Sequence, residues 1–424
     1  MGNGCVTVPD IRGSVSFRQA PDEPVQEETR PQVSGTMSTP TRTALTVYML
    51  GLRGFPNVQG GVETHAQNLC PLLAQMGCDV HVLARASYQP PHPLAWQGVR
   101  FHRLWAPRHK GLEALLHSLL CVFYAAFKRP DILHVQAIGP ALITPLARLL
   151  GLRVVVTHHG PDYERQKWGA FARWVLRLGE GLGMRNAHGR IAVSHFIAEL
   201  IRNKYAKEAT SIPNGVCLPT IPTSSATLHA FGLEANRYVL LVSRLVAEKR
   251  HFDLIEAFAA AQLPGWKLVL VGAADHPDAY TRALLKRAAS APDVVCTGFQ
   301  SGEALAELYA HAGLFVLPSS HEGLPIALLE ALSYGLPALA SDIPANLELR
   351  LPSSHYFPLG NVEALAARMR EFAASAWAPE ARTEQREWVK QRFCWIQAAK
   401  QTLEIYRAAA REKESPQAHG VAQP

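Results

Sequence analysis

The sequence predicts an α/β protein built from two doubly wound parallel sheets in tandem. Three observations carry that expectation. A chain of 424 residues is too long for one hydrophobic core, so two or three domains are expected. From Ala44 onward, short apolar runs alternate with helical patterns, as in units of strand, helix and parallel strand. The alternation pauses once, in a Pro/Thr/Ser-rich stretch at 218–227, and then restarts. Hydrophobic residues at 48% and charged residues at 18% suit a folded protein of this kind.

Residues 1–43 are rich in Pro, Gln, Glu, Ser and Thr, lack periodic hydrophobicity and read as a disordered tail. Met37 is a second candidate start, because the apolar pattern begins just after it. Residues 45–51 read as a strand, 62–76 as a helix, and 79–84, 132–135, 154–157 and 190–193 as further strands. The first domain then spans 44–217 and closes at the turn signal Pro213-Asn-Gly. Strands at 238–243, 267–272, 294–296, 314–317 and 337–341 build a second domain over 218–394. A helical run follows at 395–411, and 412–424 reads as a second disordered tail.

One strand-to-helix junction carries the strongest chemical signal: Pro318-Ser-Ser-His-Glu322-Gly-Leu-Pro-Ile-Ala-Leu-Leu-Glu330-Ala-Leu-Ser-Tyr-Gly335. A helix is expected from Pro325, since proline at the first helical position forfeits no hydrogen bond, and Gly335 is a natural stop. The helix start offers unpaired N–H groups, which attract anions and phosphate above all. Glu322 in the loop and Glu330 two turns later can face one ligand beyond the strand's carboxyl end, where open α/β sheets bind ligands. A capping glutamate and a solvated glutamate would show the same spacing. The apolar strand, the Gly-Leu-Pro turn and the Pro/Gly bracketing favour a site.

Three more loops follow strands. Gly51-Leu-Arg53-Gly-Phe-Pro-Asn-Val-Gln-Gly60-Gly61-Val-Glu63 opens the first helix with glycines that permit close backbone approach. It is not GxGxxG, so no dinucleotide is implied. Thr157-His-His-Gly-Pro-Asp162 places polar residues at a strand's carboxyl end. Leu241-Val-Ser243-Arg244-Leu-Val-Ala-Glu-Lys249-Arg250 sets two cations five apart, able to clamp a diphosphate by a forked guanidinium and a point charge.

Over about residues 44–411 these motifs, in this order, resemble retaining glycosyltransferases of the GT-B fold, in particular family 4, whose bacterial members build polysaccharides and glycolipids. The resemblance implies two Rossmann-like domains facing a central cleft, with the 395–411 helix crossing back onto the first. It implies that Glu322 contacts the donor sugar, with Gly323 and Leu324 in the same donor-binding loop, and that Glu330 holds the ribose hydroxyls. It implies that Arg244 and Lys249 bind the donor diphosphate, with Gly60 and Gly61 touching it from the first domain. His159 is then the histidine near the donor sugar, and His159, Glu322, Arg244 and Lys249 form the catalytic group. Arg53, Glu63 and Asp162 border the acceptor. The segment 163–169 resembles members acting in exopolysaccharide and O-antigen assembly. Ser194 and Asn214-Gly215 match later landmarks, with Asn214 a candidate ligand contact. Ser243 departs from the usual glycine, as does Arg250-His251, where the family often has Gly.

The implied donor is a nucleotide-diphosphate hexose or N-acetylhexosamine, and the implied acceptor a glycan or a lipid-linked glycan. No cofactor beyond this co-substrate is expected. No Asp-x-Asp closes a strand as a metal site would, so metal-independent transfer is expected. Two other classes share the fold: a hydrolysing sugar-nucleotide epimerase and a non-catalytic donor-binding protein.

The overall charge of +7 is uneven. Residues 44–217 hold 19 Lys and Arg against 9 Asp and Glu, a net of +10. That suggests an anionic membrane surface or a lipid diphosphate as partner. Nucleic acid ranks last as a partner and is not expected, for want of an aromatic-rich basic module. The run 111–127 is short for a membrane span and contains Glu113 and His117. With Arg103, Arg108 and Lys110 before it and Lys128-Arg129 after it, it could lie on a membrane surface, but an apolar stripe more often packs into a core, and that reading is preferred. No apolar segment follows Met1 as a signal peptide would. The seven cysteines (Cys5, Cys70, Cys78, Cys121, Cys217, Cys296, Cys394) are scattered and form no CxxC, which fits a reducing cytosol. The expected location is the cytoplasm, peripheral on the inner face of the plasma membrane.

Overall fold

The computed structural model describes residues 44–92, 94–107, 112–165, 168–275, 277–375 and 377–411. The two tails, the alternative start at Met37, and Arg108, Lys110, Gly111, Gln166 and Lys167 lie outside the described residues.

Among the described residues the first sheet has eight strands: β1 (Thr46–Leu50), β2 (Asp79–Arg85), β3 (Ala95–Trp96), β4 (Val99–Leu104), β5 (Ile132–Gln136), β6 (Val154–His158), β7 (Gly189–Ala192) and β8 (Thr210–Ser211). Their order is β3-β4-β2-β1-β5-β6-β7-β8, parallel throughout except for the β3–β4 edge hairpin. β5 and β6 are buried along their whole length, as strands covered on both faces must be. This is why they read as continuous apolar runs. β4, Val-Arg-Phe-His-Arg-Leu, alternates instead, because it lies near the sheet edge with one face toward solvent. In this sheet three strands are absent from the sequence expectation: β4 and the two-residue pieces β3 and β8.

The second sheet holds β9 (Tyr238–Val242), β10 (Lys267–Val271), β11 (Val294–Gly298), β12 (Leu314–Leu317), β13 (Ala338–Ser341) and β14 (Tyr356–Phe357). The order is β11-β10-β9-β12-β13-β14, all parallel. In each sheet the winding reverses beside the first strand, between β1 and β5 and between β9 and β12. Loops beyond such switch points diverge and leave a crevice for ligand.

The helix Trp395–Arg411 packs beside the helix Gly61–Gln75 on one face of the first sheet, as the crossover expectation required. Its Tyr406 is fully buried, with its hydroxyl 2.6 Å from His134 Nδ1 on β5. The two crossings between the domains touch. Val216 bridges to Cys394, and a Cβ on Gly215 would lie 2.4 Å from Trp395 N, so only glycine fits.

One local expectation is corrected, and another is met only in part. Pro325 is not the first helical residue. It caps the helix Ile326–Ser333 in an extended conformation (ψ 104°), and Gly335 supplies the left-handed stop (φ +73°). The run at 111–127 forms the helix Glu113–Lys128, which packs Cys121, Val122 and Ala125 into the core as expected but leaves Leu115, Leu120, Phe123 and Phe127 exposed. The inward face carries Glu113, His117, Ser118, Cys121, Val122 and Ala125. Small residues there allow close approach to the sheet. The polar ones are satisfied in place: Glu113 pairs with Arg85 at 3.3 Å, and Ser118 Oγ donates to Ala114 O at 2.7 Å. Among the described residues, no helix is long and apolar enough to cross a membrane.

Candidate active site

The loops at the carboxyl ends of β1, β5, β6, β9 and β12 meet across the crevice between the two sheets. On the first-domain side, Arg53 is almost fully buried. Its Nε and backbone N both donate to Glu63 Oε1 at 3.1 Å, and its Nη2 donates to Glu63 Oε2 at 3.1 Å. Nη1 reaches across to Asp275 Oδ1 of the second domain at 2.6 Å. Burial alone would lower the Arg53 guanidinium and raise the Glu63 carboxyl. Their mutual attraction outweighs burial and shifts both the other way, so both are charged. The two residues expected at the acceptor thus form a brace inside the first loop.

The paired glycines ahead of the helix differ in kind. A Cβ on Gly60 (φ +149°) would lie 2.1 Å from Glu63 Oε2, so the brace itself demands glycine. A Cβ on Gly61 would meet nothing within 4 Å. Packing therefore does not explain Gly61.

At the end of β6 the two histidines separate. His158 is fully buried; its Nε2–H donates to Glu180 Oε1 at 2.9 Å, and its Nδ1 accepts from Gly160 N at 3.1 Å. Glu180 also accepts from Lys204 Nζ and Tyr205 Oη. His158 is therefore a buried support for the turn. His159 is the half-buried ring at the crevice, with Nε2 2.6 Å from Gln136 Oε1 and its ring centre 4.8 Å from that of His65 in an edge-to-face pair. Burial, then the neighbouring His65 and His134, hold it well below the usual histidine range, so the ring is neutral. His65 in turn donates from Nδ1 to Asn214 Oδ1 at 2.8 Å.

Asn214 does not reach into the crevice. Its Nδ2 donates to Leu324 O of the second domain at 3.0 Å while its Oδ1 holds His65. Both ends are occupied, so the ligand contact expected of it is replaced by a link between domains. Asp162 pairs with Arg165 at 2.7 Å, and Arg165 also lies 3.7 Å from Glu248 of the second domain.

On the second-domain side, Arg244 follows β9 and lies 3.7 Å from Asp275. Burial, then repulsion from Arg165, lowers its guanidinium, against the pull of Asp275. Lys249 Nζ is 2.5 Å from Glu322 Oε1, both largely buried. The departures from the family pattern have local causes. Ser243 Oγ bonds His251 Nε2 at 3.0 Å. Arg250 adopts the left-handed conformation that glycine would take (φ 50°) and is held by Asp253 at 2.6 Å.

Gly323 touches the opposite domain: a Cβ there would lie 2.0 Å from the His159 carbonyl oxygen. Leu324 is buried and offers only its carbonyl, to Asn214. Glu330 accepts from Tyr309 Oη at 3.0 Å, and burial pushes its carboxyl up to about 7. It lines a cavity of about 190 Å³ together with Asn68, Gly302, Tyr334 and Trp395. Glu322 does not line that cavity. The two carboxylates therefore do not share that cavity.

Sequence reasoning named neither Asp275, Gln136 nor His65, and Arg165 only within a longer segment. Gln136 had a signal, a polar residue closing an apolar strand at its carboxyl end. Asp275 had little, since its meaning lies in two arginines far away in the chain.

Residues 60–215 match the model of the glycosyl transferase 4-like domain, and residues 230–392 match that of glycosyl transferases group 1. The amylovoran biosynthesis glycosyltransferase AmsD of Erwinia amylovora is 31% identical over 295 residues, covering 67% of this chain and 77% of AmsD. The sucrose-phosphate synthase of Thermosynechococcus elongatus superposes with a TM-score of 0.74 at 23% identity, over 86% of this chain and 98% of that one. HepE of Anabaena, solved with UDP and glucose, superposes with a TM-score of 0.70 at 19% identity, over 86% of this chain and 100% of that one.

Proposed function

Because the chain belongs to family 4 of the GT-B glycosyltransferases, we propose that it moves a hexose or N-acetylhexosamine, with retention, from a nucleotide-diphosphate sugar to a hydroxyl of a glycan or lipid-linked acceptor. The observation that carries this reading is the facing of Arg244, Lys249 and Glu322, at the switch point of the second sheet, against His159 at the carboxyl end of β6 in the first. AmsD, named for exopolysaccharide synthesis, supports a role in polysaccharide or cell-envelope assembly. HepE, solved with UDP, supports a uridine diphosphate donor.

In this reading residues 218–394 bind the donor, and residues 44–217 with the 395–411 helix present the acceptor at a membrane's inner face. The bond from the sugar's C1 to the diphosphate oxygen breaks, and its electron pair leaves with the diphosphate. Arg244 and Lys249 stabilise that charge, with Gly60-Gly61 backbone amides opposite. No metal is needed for this. Glu322 and the neutral His159 hold the sugar through its hydroxyls, and Glu330 accepts from the ribose. The acceptor hydroxyl approaches C1 on the face the diphosphate leaves. Its oxygen forms the new bond and its proton passes to a diphosphate oxygen, so no protein nucleophile is required. Asp162 borders the acceptor, while Arg53 and Glu63 shape its wall. Closure of the domains excludes water.

Calorimetry with UDP, GDP and ADP tests the donor site. Binding of UDP or GDP that is lost in Arg244→Ala and Glu330→Ala supports it, and absence of any nucleotide binding removes the reading. Release of nucleotide from a donor sugar without acceptor, with an epimerised sugar product, would favour the hydrolysing epimerase instead.

A further inference from the structure

The helix Glu113–Lys128 buries one apolar edge in the core and turns a second set of large apolar side chains to the outside. Its inward face mixes Glu113, His117 and Ser118 with Cys121, Val122 and Ala125, while Leu115, Leu120, Phe123 and Phe127 face outward, with Phe127 81% exposed. The feature continues onto its neighbours. The helix Thr144–Leu149 ends in Leu149, 84% exposed. The helix Ala170–Asn186 buries Gly179 and Gly183 against residues 138–141 and turns Phe171 and Trp174 outward, 78% and 58% exposed and stacked at 6.0 Å. The three helices adjoin on the same face of the first sheet. Arg129 ties the first to the second by donating to Leu150 O at 3.3 Å. Exposed apolar side chains over three adjoining helices mark a contact surface rather than scattered surface residues.

Charge says what the surface meets. The three helices contain two acids, Glu113 and Glu180, and both are buried. Their exposed charges are all positive, including Lys128, Arg148 and Arg177, with Arg129 just beyond. Lys128 lies over the Phe127 ring at 5.5 Å, an aromatic body beside a cationic head. A face of protruding aromatic and aliphatic side chains with only cations among them matches the interface of an anionic bilayer. A second copy of the same face would bring like charges together.

We infer that this face docks on an anionic lipid surface. The inference rests on the transferase reading only for its purpose: Phe171 follows Asp162 by nine residues, so docking brings lipid-borne hydroxyls toward the crevice.

The full chain is floated with vesicles of phosphatidylcholine alone and of phosphatidylcholine with phosphatidylglycerol, at low salt and at about 0.5 M salt. Binding is expected to the anionic vesicles and to fall about tenfold or more at high salt. A loss of binding is also expected in Phe171→Ser/Trp174→Ser and in Lys128→Glu, whose exposed positions leave the fold intact. Calorimetric nucleotide binding should be unchanged in both variants, whereas Arg244→Ala should lose nucleotide and keep vesicles. The two readings thus fail separately. No binding of the parent chain to anionic vesicles overturns the inference, as does binding that neither variant weakens. A dimer in sedimentation that Phe171→Ser/Trp174→Ser splits would also overturn it, making the face a contact between copies.

Discussion

Lys249 Nζ lies 2.5 Å from Glu322 Oε1, so the cation assigned to the donor's diphosphate and the carboxylate assigned to its sugar hold each other. Removing either leaves the other as a largely buried charge without its partner. Lys249→Ala is expected to lower kcat/KM about 10²–10³-fold, the range for losing one charge-stabilising group. Glu322→Gln should also be severe. In the double variant the losses should fall short of additive, with a coupling of roughly 0.5–3 kcal/mol. Additive losses would show that the pair does not act as a unit.

Gly323 offers a cleaner test of closure. A Cβ there would overlap the His159 carbonyl oxygen at 2.0 Å, a contact that exists only between the domains. Gly323→Ala should fold with little change in melting temperature, because opening the crevice relieves the clash. Transfer should fall about hundredfold, since misplacing the reacting groups by about 1 Å costs that much. Small-angle scattering should show a larger radius of gyration than the parent with nucleotide present. A variant as active and as compact as the parent would count against closure as a requirement.

Glu330 predicts a pH dependence. Burial pushes its carboxyl up to about 7, so it is largely protonated just below neutrality. Accepting two ribose hydroxyls requires the carboxylate. Nucleotide affinity should therefore rise with pH through about 7, by up to about tenfold per unit below the midpoint, and Glu330→Gln should flatten the profile. The linked stability runs the opposite way. With a folded value above the unfolded one of about 4.3, this group favours the fold most at low pH, and its contribution is lost as pH rises through about 7. His159 is neutral throughout this range, so kcat should show no histidine limb near pH 6.5.

Glu180 should matter to a turn it never touches. Burial would raise its carboxyl, but hydrogen bonds from His158, Lys204 and Tyr205 pull it down to about 2. Its folded value lies below the unfolded one, so its stabilisation is present above about pH 4.3 and lost as pH falls toward 2. Glu180→Ala should cost roughly 3 kcal/mol, read as a lower melting temperature. Because His158 loses its anchor and Gly160 N its acceptor, kcat should fall more than nucleotide affinity. Equal loss in both would indicate a merely structural role.

Much of this protein was legible before any coordinates. Both sheets could be read because parallel strands covered on two faces are continuous apolar runs, and because the helices between them repeat with their own period. The cations Arg244 and Lys249 and the acids Glu322 and Glu330 stood out because strand ends admit few polar residues unless something uses them. By itself the sequence determined the fold class, the order of elements and the loops that face the crevice, since these follow from local periodicity and turn chemistry. Only the tertiary structure decided which charges meet. Arg53 with Asp275, Arg165 with Glu248, and Asn214 with Leu324 join residues far apart in the chain, and no local pattern encodes such a pairing. It also decided which stripe of the helix Glu113–Lys128 faces the core. Periodicity shows that a helix has two faces, but which one is buried depends on the shape and charge of what it packs against.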